Sequence, residues 1–189
     1  MAVIPYDPLC EERKTHMHYG RILAVLGVIV GVVGFILKKA SSAGEEFLGP
    51  LSQANPAFPS NLDENTWSAL YNDTAAAAVV FAIAMVAVLA AALIPPLNVP
   101  MKRLIGLSVA VLGVVMLAVG VFATLGAMDD ADALTAAFAQ AAAAGAVPEA
   151  YTVSIGLGWY LLIAAGALAA IGGVVSLIAR PDENALSDS

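Results

Sequence analysis

The chain divides into four long apolar stretches separated by polar connections. The first reads RILAVLGVIVGVVGFILKK and is unbroken from Ile22 to Leu37. The second runs from Ala75 to Leu97, the third from Leu104 to Ala127, and the fourth from Ile155 to Ala179. None of the four contains Asp, Glu, Lys, Arg or His. Lipid offers no partner to an exposed backbone N–H or C=O, and no stretch alternates at the period of a barrel strand, so each is predicted to be a helix. The first is short: 16 residues rise only about 24 Å, against a hydrocarbon core of about 30 Å. Extension through Tyr19 and Gly20, with Arg21, Lys38 and Lys39 snorkelling outward, closes the difference.

The expected fold is therefore all-α: a polytopic membrane protein with four transmembrane helices in an up-down bundle, forming one domain over residues 1–189. Its parts are a tail over 1–19, a first span over 20–38, a loop over 39–74, and a second span over 75–97. A turn over 98–103 leads to a third span over 104–127, a loop over 128–152, a fourth span over 153–179 and a tail over 180–189. The small-residue ASSAG after the first stretch resembles a leader cleavage site, but 21 residues ending in Arg21 are long for an n-region and Lys38 and Lys39 interrupt the approach, so a leader is not expected.

Charge gives the orientation. The side bearing both termini holds Arg13, Lys14, Arg21, Lys102, Arg103 and Arg180, which act as topology anchors. The opposite side holds Lys38 and Lys39 against nine acids, Glu45, Glu46, Asp63, Glu64, Asp73, Asp129, Asp130, Asp132 and Glu149, a net of −7. The positive-inside rule then predicts cytoplasmic termini and two acidic extracytoplasmic loops. PPLNVPMKR between the second and third stretches fits only a tight inner turn. In the first outer loop SQANPAFPSNLDENTW reads as ordered turns, with Trp67 and Tyr71 at the membrane interface, as Tyr151 is before the fourth span. In the second, DDADALTAAFAQAAAAG predicts a short surface helix from about Ala131 to Ala144, capped by Asp129 or Asp130 and ended by Gly145.

Small residues recur within the spans. Gly20, Gly27 and Gly34 are seven apart, as are Gly106, Gly113 and Gly120, and a seven-residue spacing drifts only about 20° around a helix. Gly27 and Gly31 also form GxxxG, and Ala165, Ala169 and Gly173 form a small-residue ladder. Such faces let membrane helices approach closely, so helix packing is the role assigned to all ten. Residues 20–34 and 106–120 share 8 identities in 15 positions, which raises the prospect of two tandem hairpins.

Composition removes several function classes. With 60% apolar and 12% charged residues and one cysteine, the chain is neither disordered nor a disulfide scaffold. A net charge of −7 removes the electrostatic source of nucleic-acid binding. His16 and His18, near Cys10, Glu11 and Glu12, lack the second spaced cluster that a metal site needs. Asn72, Asp73 and Thr74 match the glycosylation pattern but abut the second span, where no sugar is expected. Pumps and proton relays keep ionisable groups inside the membrane, and haem sites keep histidine there; these spans have neither. A small multidrug-type exporter is excluded on the same ground. The layout is similar to that of claudin-type tetraspans, but their tryptophan and paired-cysteine loop signature is absent.

No catalytic, cofactor-binding or metal-binding residues are therefore expected, and no enzyme activity. The expectation is an accessory or structural subunit of a larger integral membrane complex in the bacterial plasma membrane. Its partners would be the bilayer and other membrane subunits. A small transporter or channel for a neutral solute or cation, acting as a homo-oligomer, is the alternative. A third reading, an outer-loop enzyme or sensor, requires a pocket enclosing several of Glu45, Glu46, Asp63, Glu64 and Asp129.

Overall fold

The structure is a computed structural model that describes residues 19–56, 58–94 and 101–178. Arg13, Lys14, Cys10, His16, His18, Arg180 and most of the turn between the second and third spans lie outside the described residues. In chain order the elements are α1 (Tyr19–Ile36), β1 (Ala40–Ser42), α2 (Glu45–Ala54), α3 (Thr66–Leu93), α4 (Arg103–Ala143), β2 (Val153–Ile155) and α5 (Leu157–Ile178). Of these, α1, α3, α4 and α5 are long and apolar enough to cross a membrane, as in a multi-pass membrane protein. Their outward faces carry Ile29, Val33, Ile83, Val86, Val111, Val114, Phe122 and Ile171, all exposed, an arrangement suited to lipid and not to water.

The bundle is organised around α5, which lies between α1 and α4. On one side Gly20 faces Ser176 and Gly172, Gly27 faces Ala165 and Ala169, and Gly34 faces Gly158, so α1 and α5 run antiparallel. On the other side Gly113 sits against the backbone of Ala169 and Ala170, Gly120 against Leu162 and Ile163, and Gly106 against Leu177. The two seven-residue glycine stripes therefore address one helix from two directions. In a duplicated hairpin the stripe of α1 would face α3, as that of α4 faces α5; its nearest contacts instead run to α5, while Gly31, off the stripe, meets Met85 of α3. The ladder on α5 divides between its neighbours: Ala165 and Ala169 meet Gly27, whereas Gly173 meets Ala110 of α4. A four-residue spacing advances about 40° per step, so a run of three turns away from a single partner.

Three boundaries differ from expectation. The third span and the helix expected near 131–144 are one helix of 41 residues, α4. No glycine or proline stands between Ala127 and Ala144 to end it, and its later turns bury Ala131, Phe138 and Ala141 along one stripe. Asp129 and Asp130 lie within this helix and cap nothing. At about 1.5 Å per residue α4 is about 60 Å long, twice a bilayer core, so its last turns stand clear of the span. It ends at Gly145, whose φ of +73° closes the helix while Gly145 N–H donates to Ala142 O and Ala146 N–H to Ala141 O.

The second difference is α3, which begins nine residues before the apolar run. Asn65 caps it by accepting from Ser68 N–H at 2.8 Å, and the helix is kinked at Thr74 (φ −150°, ψ 78°). The kink falls where the polar opening TWSALYND meets the alanine run. The third is Val153–Ile155, which is a strand and not the start of the last span. It pairs antiparallel with β1, Ala40 opposite Ile155 and Ser42 opposite Val153.

Beyond the span ends, α2, the two strands and the last turns of α4 form a cap with its own core. Leu48 and Leu51 of α2, Phe58 and Leu62 of the following loop, Phe138 of α4 and Val147 and Val153 are buried together. Phe138 makes edge contacts with Phe58 and Tyr151, ring centroids 5.6 Å apart in each case, and Phe47 stacks on Tyr151 at 5.4 Å. Tyr151 thus packs, partly buried, against the cap core. Trp67 and Tyr71 stack on each other beside Phe35, with Tyr71 exposed.

Candidate site at the junction of bundle and cap

Residues 37–42 hold the cap to the bundle through backbone bonds. Thr66 N–H and its hydroxyl both donate to Leu37 O, and Lys39 N–H donates to Glu64 O at 3.0 Å. Lys39 O accepts from Gly156 N–H at 2.6 Å and from the indole N–H of Trp159 at 2.9 Å. Gly156 is required here because a Cβ would fall on the Lys38 carbonyl. The segment after α1 is therefore clamped between the start of α3 and the start of α5. Val153 N–H, donating to Thr135 Oγ1 at 2.9 Å, ties β2 to α4 as well.

The two lysines expected to snorkel are engaged in ion pairs. Lys38 Nζ lies 2.5 Å from Asp63 and Lys39 Nζ 2.5 Å from Glu64, and Glu64 also accepts from Asn72 Nδ2 at 2.6 Å. The hydrogen bond that Lys38 donates to Asp63, reinforced by the charges of Asp63 and Glu45, pushes the Lys38 ammonium above its ordinary value. Two of the nine acids are thus neutralised locally.

Beside this clamp a cleft opens between α3 and α4 where α3 is kinked. It comprises two cavities, of about 400 Å³ and 550 Å³, that share Asp73, Ala127, Asp130 and Trp159 as lining. The first runs under the cap past Lys39, Leu62 and Leu134. The second descends from Leu70 and Asp129 along the spans past Ala77, Val119 and Phe122. Of the five acids named for an outer-loop pocket, only Asp129 lines the cleft; Asp73 and Asp130 take that place. Glu45 and Glu46 instead lie in the first turn of α2, where carboxylates suit the positive helix end.

At the opposite end of the bundle Arg21 departs from expectation. It is 1% exposed and turns inward, not outward, with its guanidinium donating to Ala92 O in the last turn of α3 at 3.4 Å. A cation there meets the negative end of the α3 dipole. Lys102 and Arg103, at the start of α4, are exposed. Among the described residues no group of three or more His, Cys, Asp or Glu is placed to hold a metal ion.

The ten packing positions, Gly20, Gly27, Gly31, Gly34, Gly106, Gly113, Gly120, Ala165, Ala169 and Gly173, all lie at helix contacts. The sequence reading missed Gly158, Gly166 and Gly172. Gly166 sits against the backbone of Met116 and Leu117, and Gly172 against that of Gly20 and Ala24; the signal for both is that α5 alternates small residues on two faces. Asp73 and Asp130 were legible only as charges, because their juxtaposition depends on α4 continuing past the span and on the kink in α3. Comparison with protein families, with characterised proteins and with solved structures finds no match for this chain.

Proposed function

We propose that this chain is a non-catalytic accessory or structural subunit of a larger integral membrane assembly. In this reading it resides in a bacterial plasma membrane with both termini cytoplasmic and the acidic cap outside. The observation that supports it most is the cap itself: a separately cored unit, clamped to the bundle at residues 37–42 and by α4, that carries Glu46, Asp132 and Glu149 exposed on its surface. A rigid, charged platform on a bundle closed by backbone contacts is suited to docking a partner. Extraction in the mildest detergents is expected to yield the chain with stoichiometric membrane partners. Replacing Glu46, Asp132 and Glu149 with their amides is expected to release those partners without unfolding the cap. Recovery of a free monomer under the same conditions would count against the proposal.

A second reading, an oligomeric transporter or channel for a neutral solute or cation, is favoured by one observation, the cleft between α3 and α4. The path would then be the cleft, since the glycine stripes close on α5. Flux through liposomes containing the purified protein, abolished by Gly126→Leu in the cleft wall, would favour this reading over the first.

A further inference from the structure

We propose that the cleft between α3 and α4 binds an amphiphilic cation, a ligand with an ammonium head and an apolar tail. The argument starts from size. A cavity of about 400–550 Å³ lies within the range of sites that take organic ligands and is far larger than a metal ion needs. Its lining is divided along its length. Asp73 from α3 and Asp129 and Asp130 from α4 stand at the cap end, while Ala77, Val119 and Phe122 line the part that descends along the spans.

The charge at the cap end is not balanced from within. Lys39 is the cation lining the cleft, and Glu64 takes it at 2.5 Å. Among the described residues no side-chain hydrogen bond or salt bridge engages Asp73 or Asp130, which are exposed, and Lys39 acts on Asp73 only at longer range while paired with Glu64, so the cap end carries net negative charge beside an apolar wall. Carboxylates so placed favour a cation, and desolvating them against a neutral ligand is costly. The tail follows from the other end: Phe122 is 74% exposed on a lipid-facing helix, so the cleft opens sideways to the bilayer as well as upward to the cap. A ligand that partitions into the membrane enters with its head at interface depth, level with the acids.

Trp159 lines both cavities, and the other tryptophan, Trp67, packs on Phe35. The test uses the full chain carrying Trp67→Phe in dodecyl maltoside micelles. Dodecyl(2-bromoethyl)dimethylammonium, with bromine beside the head, is the quencher, and 2-bromododecan-1-ol is its uncharged counterpart. The ammonium probe is expected to quench Trp159 saturably, at least tenfold more tightly than the alcohol. Asp73→Asn with Asp130→Asn should abolish that preference, whereas Glu45→Gln with Glu46→Gln should leave it intact. Gly126→Leu supplies a second variant: a Cβ there meets nothing within 4 Å, so the fold tolerates it while the side chain occupies the cleft, and quenching by both probes should fall. Equal quenching by the two probes overturns the proposal. So does undiminished ammonium binding in either cleft variant with its melting temperature retained. Adding phosphatidylethanolamine to the micelles separates the two sources of such a head: displacement of the bound probe assigns a lipid headgroup, and retention assigns a free lipophilic amine.

Discussion

The bundle and the cap are both held by helix α4, yet they cohere by different physics. In the bundle, α5 meets its neighbours through Gly27, Gly113, Gly166 and Gly173, positions where an added Cβ would collide with backbone. In the cap the same helix buries Phe138 against Phe58 and Tyr151, among Leu48 and Leu62. Lipid tails are as apolar as leucine, so large side chains gain nothing by leaving lipid; close backbone approach gains dispersion. In water the gain comes from the area removed, and aromatic rings remove most. Along α4 the contact with α5 thus runs through Gly113 and Gly120, whereas the contact with the cap centres on Phe138.

The sharpest way to break this contrast is to put volume into the bundle. Gly113→Leu and Gly166→Leu each place a side chain on the opposing helix backbone, which cannot yield as a side chain tip does. The expected cost exceeds the roughly 3 kcal/mol of ordinary overpacking, and size-exclusion chromatography in detergent should show aggregated or absent protein. A monodisperse Gly166→Leu protein with unchanged melting would show that α4 and α5 are not held by close approach. Removing volume from the cap is next in size. Phe138→Ala deletes a fully buried ring and should cost about 3–5 kcal/mol. The loss should be local: hydrogen exchange is expected to speed up in α2 and over 131–143 while α1 and α5 stay protected. Uniform loss of protection would mean that cap and bundle are one cooperative unit.

The same contrast accounts for what could be read from the sequence. Four apolar runs without a charged residue identify four span-forming helices, because the lipid penalty acts on every residue of a run. The glycines at seven-residue spacing lie at contacts with α5, where a missing Cβ lets backbones approach, and Gly145 follows the end of α4, where a positive φ is a local requirement. What escaped depends on distant partners. Nothing near Asp129 says whether a helix ends there; it continues because Phe138 finds Phe58, about eighty residues earlier in the chain. Arg21 turns inward because Ala92 O lies beside it. The cleft escaped for both reasons together, requiring an uninterrupted α4 and a kink at Thr74 that no proline or glycine announces.

A smaller effect comes from alkaline pH, and it should fall on the cap. Burial pushes the Tyr151 phenol above its ordinary value, and the charges of Glu149 and Glu46 act in the same direction. A group with a raised folded value contributes stability that is complete below its unfolded value, about 10 for tyrosine, and is lost as pH rises through the folded value. Exchange in α2 and β2 is therefore expected to accelerate above about pH 10 before the bundle responds. Lys38, also raised, loses its ion pair in the same direction, so the variants separate them: Tyr151→Phe should flatten the aromatic contribution and leave that of Lys38. An alkaline response identical in Tyr151→Phe would exclude the phenol as its source.

The smallest effect has the opposite sign, which makes it the most discriminating. Gly126 and Gly113 lie on one helix, and a single methyl added at each tests whether the surroundings or the residue type decides the outcome. At Gly126 the new Cβ meets nothing within 4 Å, so Ala removes only backbone entropy from the unfolded chain and should stabilise by about 0.5–1 kcal/mol. At Gly113 the same methyl meets Ala169 and Ala170 backbone, and the steric cost should exceed that gain. Thermal unfolding of the two variants in one detergent should therefore move in opposite directions. Movement of both upward would mean that helix propensity, and not close approach to α5, governs glycine usage along α4.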